Sequence, residues 1–174
     1  MAKVRDALSQ DARRCAEVHI SSWRAGYDGL LPDDYLHGLT VEDRLPWWKE
    51  ILAARPDARE LAIAVVEDET GEVCGFGSVW VDPSDARSAE VAQLYVDPST
   101  WGTGVADVLM ARLLADLVAE GVEDVTLRVA LDNSRACRFY ERGGWRRVEA
   151  SERTEEVWGV EVLTVEYRLA RGGS

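Results

Sequence analysis

The stretch from Glu90 to Val118 constrains the fold more than any other part of the chain. Glu90 to Val96 alternates as a strand does, with Ala92, Leu94 and Val96 on one face and Gln93 and Tyr95 on the other. From Val105 the period lengthens to four residues. Val105, Leu109, Leu113 and Leu117 form a stripe joined by Met110, Leu114 and Val118, while Asp107, Arg112, Asp116 and Glu120 lie off it. A strand therefore runs into an amphipathic helix through Asp97, Pro98, Ser99, Thr100, Trp101, Gly102, Thr103 and Gly104. Glycines let backbone approach a ligand closely, and the first helical turn offers unpaired N–H groups at the positive end of the dipole. Such a junction suits a pyrophosphate. The plain alternative is a tight turn that holds nothing.

The flanking segments supply the rest of a sheet. Val4 to Ala7 reads as a short strand, and Ser9 to Asp11 open a helix carrying Cys15, Val18, His19, Trp23 and Tyr27 at three-to-four-residue spacing. Gly26, Gly29 and Pro32 break that pattern. Thr40 and Asp43 resemble a capping box ahead of a second helix with Leu45, Trp48, Ile51 and Leu52, and Pro46 falls in its first turns or kinks it. Leu61 to Val66 and Val73 to Val81 predict a hairpin about Gly71. Val125, Leu127 and Val129 alternate as another strand, and Asn133 or Ser134 caps a short helix running through Arg142. Gly143 suits the left-handed position past its end, and a final hairpin turns near Trp158 and Gly159 before returning over Val160 to Leu169. The order predicts an α/β (α+β mixed) chain: one domain over residues 1–170, with helices packed on a mixed sheet and 171–174 as a frayed tail.

Composition enters as a set of exclusions. A chain of 174 residues that is 47% hydrophobic buries a core large enough to need no disulfide or metal staple. The net charge of -12 argues against a nucleic-acid partner. Cys15, Cys74 and Cys137 are odd in number and outside any CxxC, which predicts free thiols in a reducing compartment. With only His19 and His37, and neither HExxH nor paired CxxC, no metal is expected. The N-terminal stretch has no signal-like apolar run and nothing approaches the ~18 to 20 apolar residues of a membrane span, so no membrane association and a cytoplasmic location are expected. Two nucleotide readings fail on spacing: no GKS or GKT follows Gly104, and Asp107 stands where a dinucleotide fingerprint needs Gly or Ala.

The run Trp101, Gly102, Thr103, Gly104, Val105, Ala106 resembles motif A of the GNAT superfamily of acyl-CoA-dependent N-acetyltransferases, written Gln/Arg, two residues, Gly, one residue, Gly/Ala. Gly104 and Ala106 match, while Trp101 stands where Gln or Arg is usual. Asn133, Ala136, Phe139, Tyr140, Glu141, Gly143, Gly144 and Trp145 resemble motif B of the same family. Trp23, Tyr27 and the Gly29 to Pro32 turn look like its acceptor-side helix region, which extends the likeness over nearly the whole chain.

That resemblance implies a mostly antiparallel twisted sheet, splayed between its central parallel strands and flanked by helices. It implies acetyl-CoA as cosubstrate, its pantetheine arm pairing with the backbone of Leu94, Tyr95 and Val96 and its pyrophosphate cradled by Trp101, Gly102, Thr103, Gly104, Val105 and Ala106. Asn133, Ala136 and Phe139 map to further cofactor contacts, although a helix N-cap accounts equally well for Asn133. Tyr140 maps to the phenol that protonates the leaving thiolate. Glu90, eleven residues before Trp101, stands where the histone-modifying branch carries its base; the alternative is a solvated carboxylate with water as the base. A Cys137 nucleophile is rejected, since no His follows residue 37. Trp23 and Tyr27 are candidate acceptor-binding residues, and Arg135, Arg138 and Arg142 candidate partners of the nucleotide's ribose phosphate, the alternative being a solvated helix face. The expected activity is acetyl transfer to a primary amine by direct attack in a ternary complex, with no metal; partners are a small-molecule amine and, as in many members, a second copy in a homodimer. The alternatives are a non-catalytic acyl-CoA-binding module and an enzyme acting on a protein N-terminus or lysine.

Overall fold

The computed structural model describes residues 2–53 and 61–169; the frayed-tail expectation for 171–174 lies outside them. Among the described residues, eight strands form one sheet: β1 (Lys3–Asp6), β2 (Leu61–Glu67), β3 (Val73–Val81), β4 (Ser88–Val96), β5 (Asp124–Ala130), β6 (Trp145–Arg147), β7 (Arg153–Val157) and β8 (Val160–Leu169). The order is β1-β2-β3-β4-β5-β8-β6, with β7 also on β8. Every pairing is antiparallel except β4 with β5. The fold class and the splayed sheet read from the sequence are what the structure contains.

Helices cover both faces. Helix α1 (Ala12–Gly26) and α3 (Val41–Ala53) pack against Val65, Val73 and Phe76, while α4 (Val105–Ala119) lays Leu109, Leu113 and Leu117 against Ala64, Val66 and Val91 on the other face. The stripe in α4 is apolar because it meets the centre of the sheet, and burial of such side chains stabilises by roughly 1.5–3 kcal/mol each. Thr40 and Asp43 form the expected capping box, with the Asp43 carboxylate accepting from the Thr40 N–H at 3.1 Å and the Asp43 N–H donating to the Thr40 hydroxyl at 3.3 Å. Pro46 lies inside α3. The short helix α2 (Asp33–Gly38) and strand β6 carry too few residues to show a period, and sequence reading passed over both.

The decisive irregularity is in β4. Ser78 faces Gln93 but Val79 faces Val91, so Ala92 is an extra residue, a β-bulge. The bulge resets the alternation: Val91, Leu94 and Val96 all pack on the α4 side while Ala92 is exposed, which corrects the single face drawn from the sequence through Ala92. It also bends the strand. Parallel pairing between β4 and β5 runs only from Ser88–Asp124 to Val91–Leu127, and beyond that point the two strands diverge. After β5 the chain enters α5 (Ser134–Arg142), which closes the gap from the side.

Candidate active site

The divergence of β4 and β5 opens a groove of about 360 Å³. Val91 to Val96 form one wall and Arg128 to Ala130 the other, with Tyr27, Phe139 and Tyr140 over the middle. Past Val91 the β5-facing edge of β4 has no ladder partner, and backbone N–H and C=O groups on such an edge pair readily with an extended ligand. Leu94, Tyr95 and Val96 all line this stretch. The Val96 carbonyl is instead held by side chains, accepting from the Ser22 hydroxyl at 2.8 Å and from Trp101 Nε1 at 3.2 Å.

The groove runs on to the turn before α4. Asp97 anchors that turn by accepting from the Ser99 N–H at 3.0 Å and the Ser99 hydroxyl at 2.7 Å. Gly102 and Gly104 hold φ of 78° and 86°, left-handed values that a side chain disfavours, and Gly104 is the N-cap of α4. A second cavity of about 400 Å³ lies over this turn, lined by Gly102, Gly104, Ala106 and Arg138. It shares Val96, Trp101, Ala106, Arg135 and Phe139 with the groove, so one channel leads from strand edge to helix N-terminus. Thr103 donates its hydroxyl to the Thr100 carbonyl at 2.6 Å and Val105 is buried; both shape the turn without lining either cavity. An open strand edge that ends at unpaired helical N–H groups fits a long thioester carrying a diphosphate.

Helix α5 brings Tyr140 to the groove at 9% exposure, its ring against Phe139 at 5.3 Å and Trp145 and Tyr167 at 6.2 Å each. Burial pushes its phenol well above the ordinary range and keeps the proton on oxygen. Asn133 caps α5, accepting from the Ala136 N–H at 3.1 Å, and also lines the groove. The left-handed residue past α5 is Gly144, with φ of 86°; Gly143 has φ of -77° and closes the helix by donating its N–H to the Phe139 carbonyl at 3.1 Å. Cys137 is half-buried, and burial raises its thiol, the opposite of what an activated nucleophile requires.

At the far end the groove is polar. Glu90 lies half-buried there, and burial, followed by the nearby charge of Glu155, holds its carboxyl above the usual carboxylate range. Arg128 beside it is fixed by Glu155 at 3.0 Å, Glu166 at 3.5 Å and the Ser151 carbonyl at 2.7 Å. Tyr27 lines the groove, with its phenol pushed up by burial and by Tyr95 and Tyr140. Trp23 does not line it. At 1% exposure it packs with Ile20, Leu36 and Leu39, one helical turn before Tyr27, whose ring lies 4.8 Å from its own at the C-terminal end of α1. Sequence reading missed Arg128, Glu155 and Thr164, whose placement depends on the register of the β7–β8 hairpin, Arg153↔Thr164 to Val157↔Val160. Among the described residues no group of His, Cys, Asp and Glu is arranged to hold a metal, and no helix is long and apolar enough to cross a membrane.

Comparison with known proteins gives consistent matches. Residues 20–145 match the family model described as Acetyltransferase (GNAT) family. The chain is 28% identical over 168 residues to the uncharacterized N-acetyltransferase YuaI of Bacillus subtilis, covering 95% of this chain and 91% of that protein. It is 36% identical over 141 residues to the mycothiol acetyltransferase of Actinosynnema mirum, covering 81% of this chain but only 42% of that longer protein. Its fold matches that of the PaiA N-acetyltransferase from Thermoplasma acidophilum, solved in complex with coenzyme A, with a TM-score of 0.73 at 18% identity over 95% of this chain and 98% of that one.

Proposed function

The chain belongs to the acetyltransferase (GNAT) family, and from that premise we propose that it transfers an acetyl group from acetyl-CoA to the primary amine of a small molecule, by direct attack in a ternary complex. The observation that carries this reading is the channel itself: β4 and β5 part after Val91–Leu127, and the gap leads straight to the glycine turn of α4.

When bound, acetyl-CoA supplies an activated thioester, and everything else falls to the protein. The edge of β4 at Leu94 to Val96 holds the ligand extended, the turn from Gly102 to Ala106 cradles its phosphates with Gly102, Gly104 and Ala106 facing the cavity, and Ala136 and Phe139 wall the arm between them. Holding both reactants in one groove converts a bimolecular encounter into an oriented one. Glu90, whose carboxyl burial holds above the usual carboxylate range and so makes a stronger base, accepts in its ionised form the proton that the amine must lose. Tyr140 donates a hydrogen bond, then its proton, to the departing thiolate. The groove that raises the phenol also destabilises a bare thiolate, so the transfer is better matched than it would be in water. Glu90 and Glu156 at the open end favour a cationic acceptor, which then deprotonates in place. We further propose a single domain over residues 1–170 acting in the cytoplasm.

The test is release of free thiol from acetyl-CoA in the presence of amines, aminoglycosides, amino acids and peptides. Turnover with a small amine supports the proposal. Binding of acetyl-CoA without thiol release above the water background would favour the non-catalytic module, and turnover confined to peptides would favour a protein acceptor.

A further inference from the structure

Position 101 opens the phosphate turn with an indole, and that indole carries something. The guanidinium carbon of Arg135 lies 3.2 Å from the centroid of the Trp101 ring, well inside the ~6 Å reach of a cation–π contact. The ring is itself fixed, since Trp101 Nε1 donates to the Val96 carbonyl at the end of the splayed strand. Arg135 belongs to the first turn of α5, across the channel from the α4 turn. Both side chains line both cavities, so the stack sits where the groove passes into the space over Gly102 and Gly104. Among the described residues no carboxylate pairs with Arg135, whereas Arg142 nearby is tied to Asp107 at 3.4 Å. An arginine that lies flat on a ring keeps its N–H edges free in the plane of the guanidinium, the edges that meet phosphate oxygens.

We propose that Trp101 and Arg135 act as one unit: Trp101 is a shelf that positions Arg135, and Arg135 supplies from α5 the cationic contact to the diphosphate of coenzyme A. The proposal rests on the cofactor reading above and adds to it which residue meets the ligand's charge, and from which element. A residue held by stacking and left without an acidic partner is oriented before the ligand arrives, so binding spends little on ordering it. Its place at the junction of the two cavities, beside the glycine turn, points to the diphosphate rather than to the ribose phosphate expected from the sequence.

The experiment is calorimetric titration with CoA and with dephospho-CoA, which keeps the diphosphate and lacks the ribose phosphate. The proteins are the wild type, Arg135→Gln, Trp101→Leu, the double variant with both changes, and Trp101→Arg combined with Arg135→Gln, each first shown to be folded by thermal unfolding. Arg135→Gln should weaken both ligands by the same factor, about 10- to 100-fold for a lost charge-assisted hydrogen bond. Trp101→Leu should cost several-fold when Arg135 is present and close to nothing when it is already Gln. Placing Arg at 101 in the Arg135→Gln background should restore much of the affinity, which a purely structural role for the indole would not allow. Wild-type affinity in Arg135→Gln, or an equal cost of Trp101→Leu in both backgrounds, would overturn the unit while leaving the cofactor reading intact. A loss with CoA but not with dephospho-CoA would overturn the assignment to the diphosphate. A wild-type protein that binds neither ligand would overturn this inference and the cofactor reading together.

Discussion

The two ends of the channel are built on different principles. The proposed phosphate end, unlike the proposed acceptor end, comes from consecutive chain, β4 through the 97–104 turn into α4, and its candidate groups are mainly backbone. The acceptor end gathers Tyr27, Glu90, Arg128, Glu155 and Thr164 from five elements or their ends, and its working groups are side chains held by ion pairs such as Arg128–Glu155 and Arg128–Glu166. A backbone site is set by local conformation, and it tolerates changes in side chain as long as that conformation survives. A side-chain site depends on the register of distant strands, so chains with the same fold can carry different acceptor ends on one phosphate end. The contrast is testable because substitutions at the two ends should register in different kinetic quantities.

The largest effect should come at the middle of the channel, where the ends meet. Tyr140→Phe keeps the ring against Phe139, Trp145 and Tyr167 and removes only the hydroxyl. Loss of a general acid is typically worth ~10²- to 10⁴-fold, appearing in kcat with CoA affinity and thermal stability little changed. Steady-state kinetics with a productive acceptor checks this; a folded variant with wild-type kcat, where chemistry limits turnover, would make Tyr140 a packing residue.

At the proposed phosphate end, Gly104→Val should weaken cofactor binding and also cost some stability through its backbone. A Cβ at Gly104 meets no atom within 4 Å, so the protein has room for it; the cost lies in the φ of 86° and in crowding the bound diphosphate. A left-handed β-branched residue costs about 1–3 kcal/mol, and we expect acetyl-CoA affinity to fall by about 10- to 100-fold in calorimetry. Unchanged affinity in a folded variant would remove Gly102 to Ala106 from the cofactor site and erase the distinction between the two ends.

At the proposed acceptor end, Glu90→Gln should lower the rate about 10-fold near neutral pH, less than the ~10²- to 10⁴-fold typical of general catalysis because water can take over as base, and converge on wild type as rising pH deprotonates the amine unaided. Stability should move the other way. A carboxyl whose folded value lies above its unfolded value loses stability as pH rises through that interval, so the glutamine variant should melt higher than wild type at pH 7 and show no such advantage near pH 4. A rate profile parallel to wild type would return Glu90 to the role of a half-buried carboxylate beside Arg128.

The same contrast decides what the sequence discloses. The strand, turn and helix of the proposed phosphate end were legible because their signals are local: alternation, a glycine turn and a four-residue stripe within thirty residues. Even there the bulge at Ala92 was hidden, since one extra residue in a strand leaves no mark on composition. The stack of Arg135 on Trp101 was hidden as well, because it joins two turns that only the fold brings together. Helical spacing put Trp23 and Tyr27 on one face, where their rings do meet, but it did not say that Tyr27 lines the groove while Trp23 is buried with Leu36 and Leu39. Arg128 and Glu155 carry no signal in the sequence, because they meet only through the pairing of distant strands.

The smallest expected effect lies beneath the acceptor end, at His19. Its ring is 1% exposed, stacked on Tyr95 at 5.3 Å and set edge-on to Trp158 at the same distance, so it ties α1 to the groove strand and to the β7–β8 turn. Neither ring nitrogen has a hydrogen-bond partner among the described residues. Burial, with a smaller push from Arg44, lowers its pKa to about 3, so the folded protein keeps this imidazole neutral. The unfolded chain takes up a proton near pH 6.5 and the folded protein does not until about pH 3, so stability is complete above 6.5 and falls as the pH drops through that interval. The slope is at most about 1.4 kcal/mol per pH unit for one group. His19→Leu should remove that slope while leaving a small packing deficit at pH 7, so its unfolding midpoint should fall less than that of wild type between pH 6.5 and 5. Phosphate-end affinity for acetyl-CoA should be the same in both proteins at pH 7. Parallel loss of stability in the two proteins over that range would show that His19 protonates in the folded state, and the acceptor end would then rest on a charged ring rather than a neutral one.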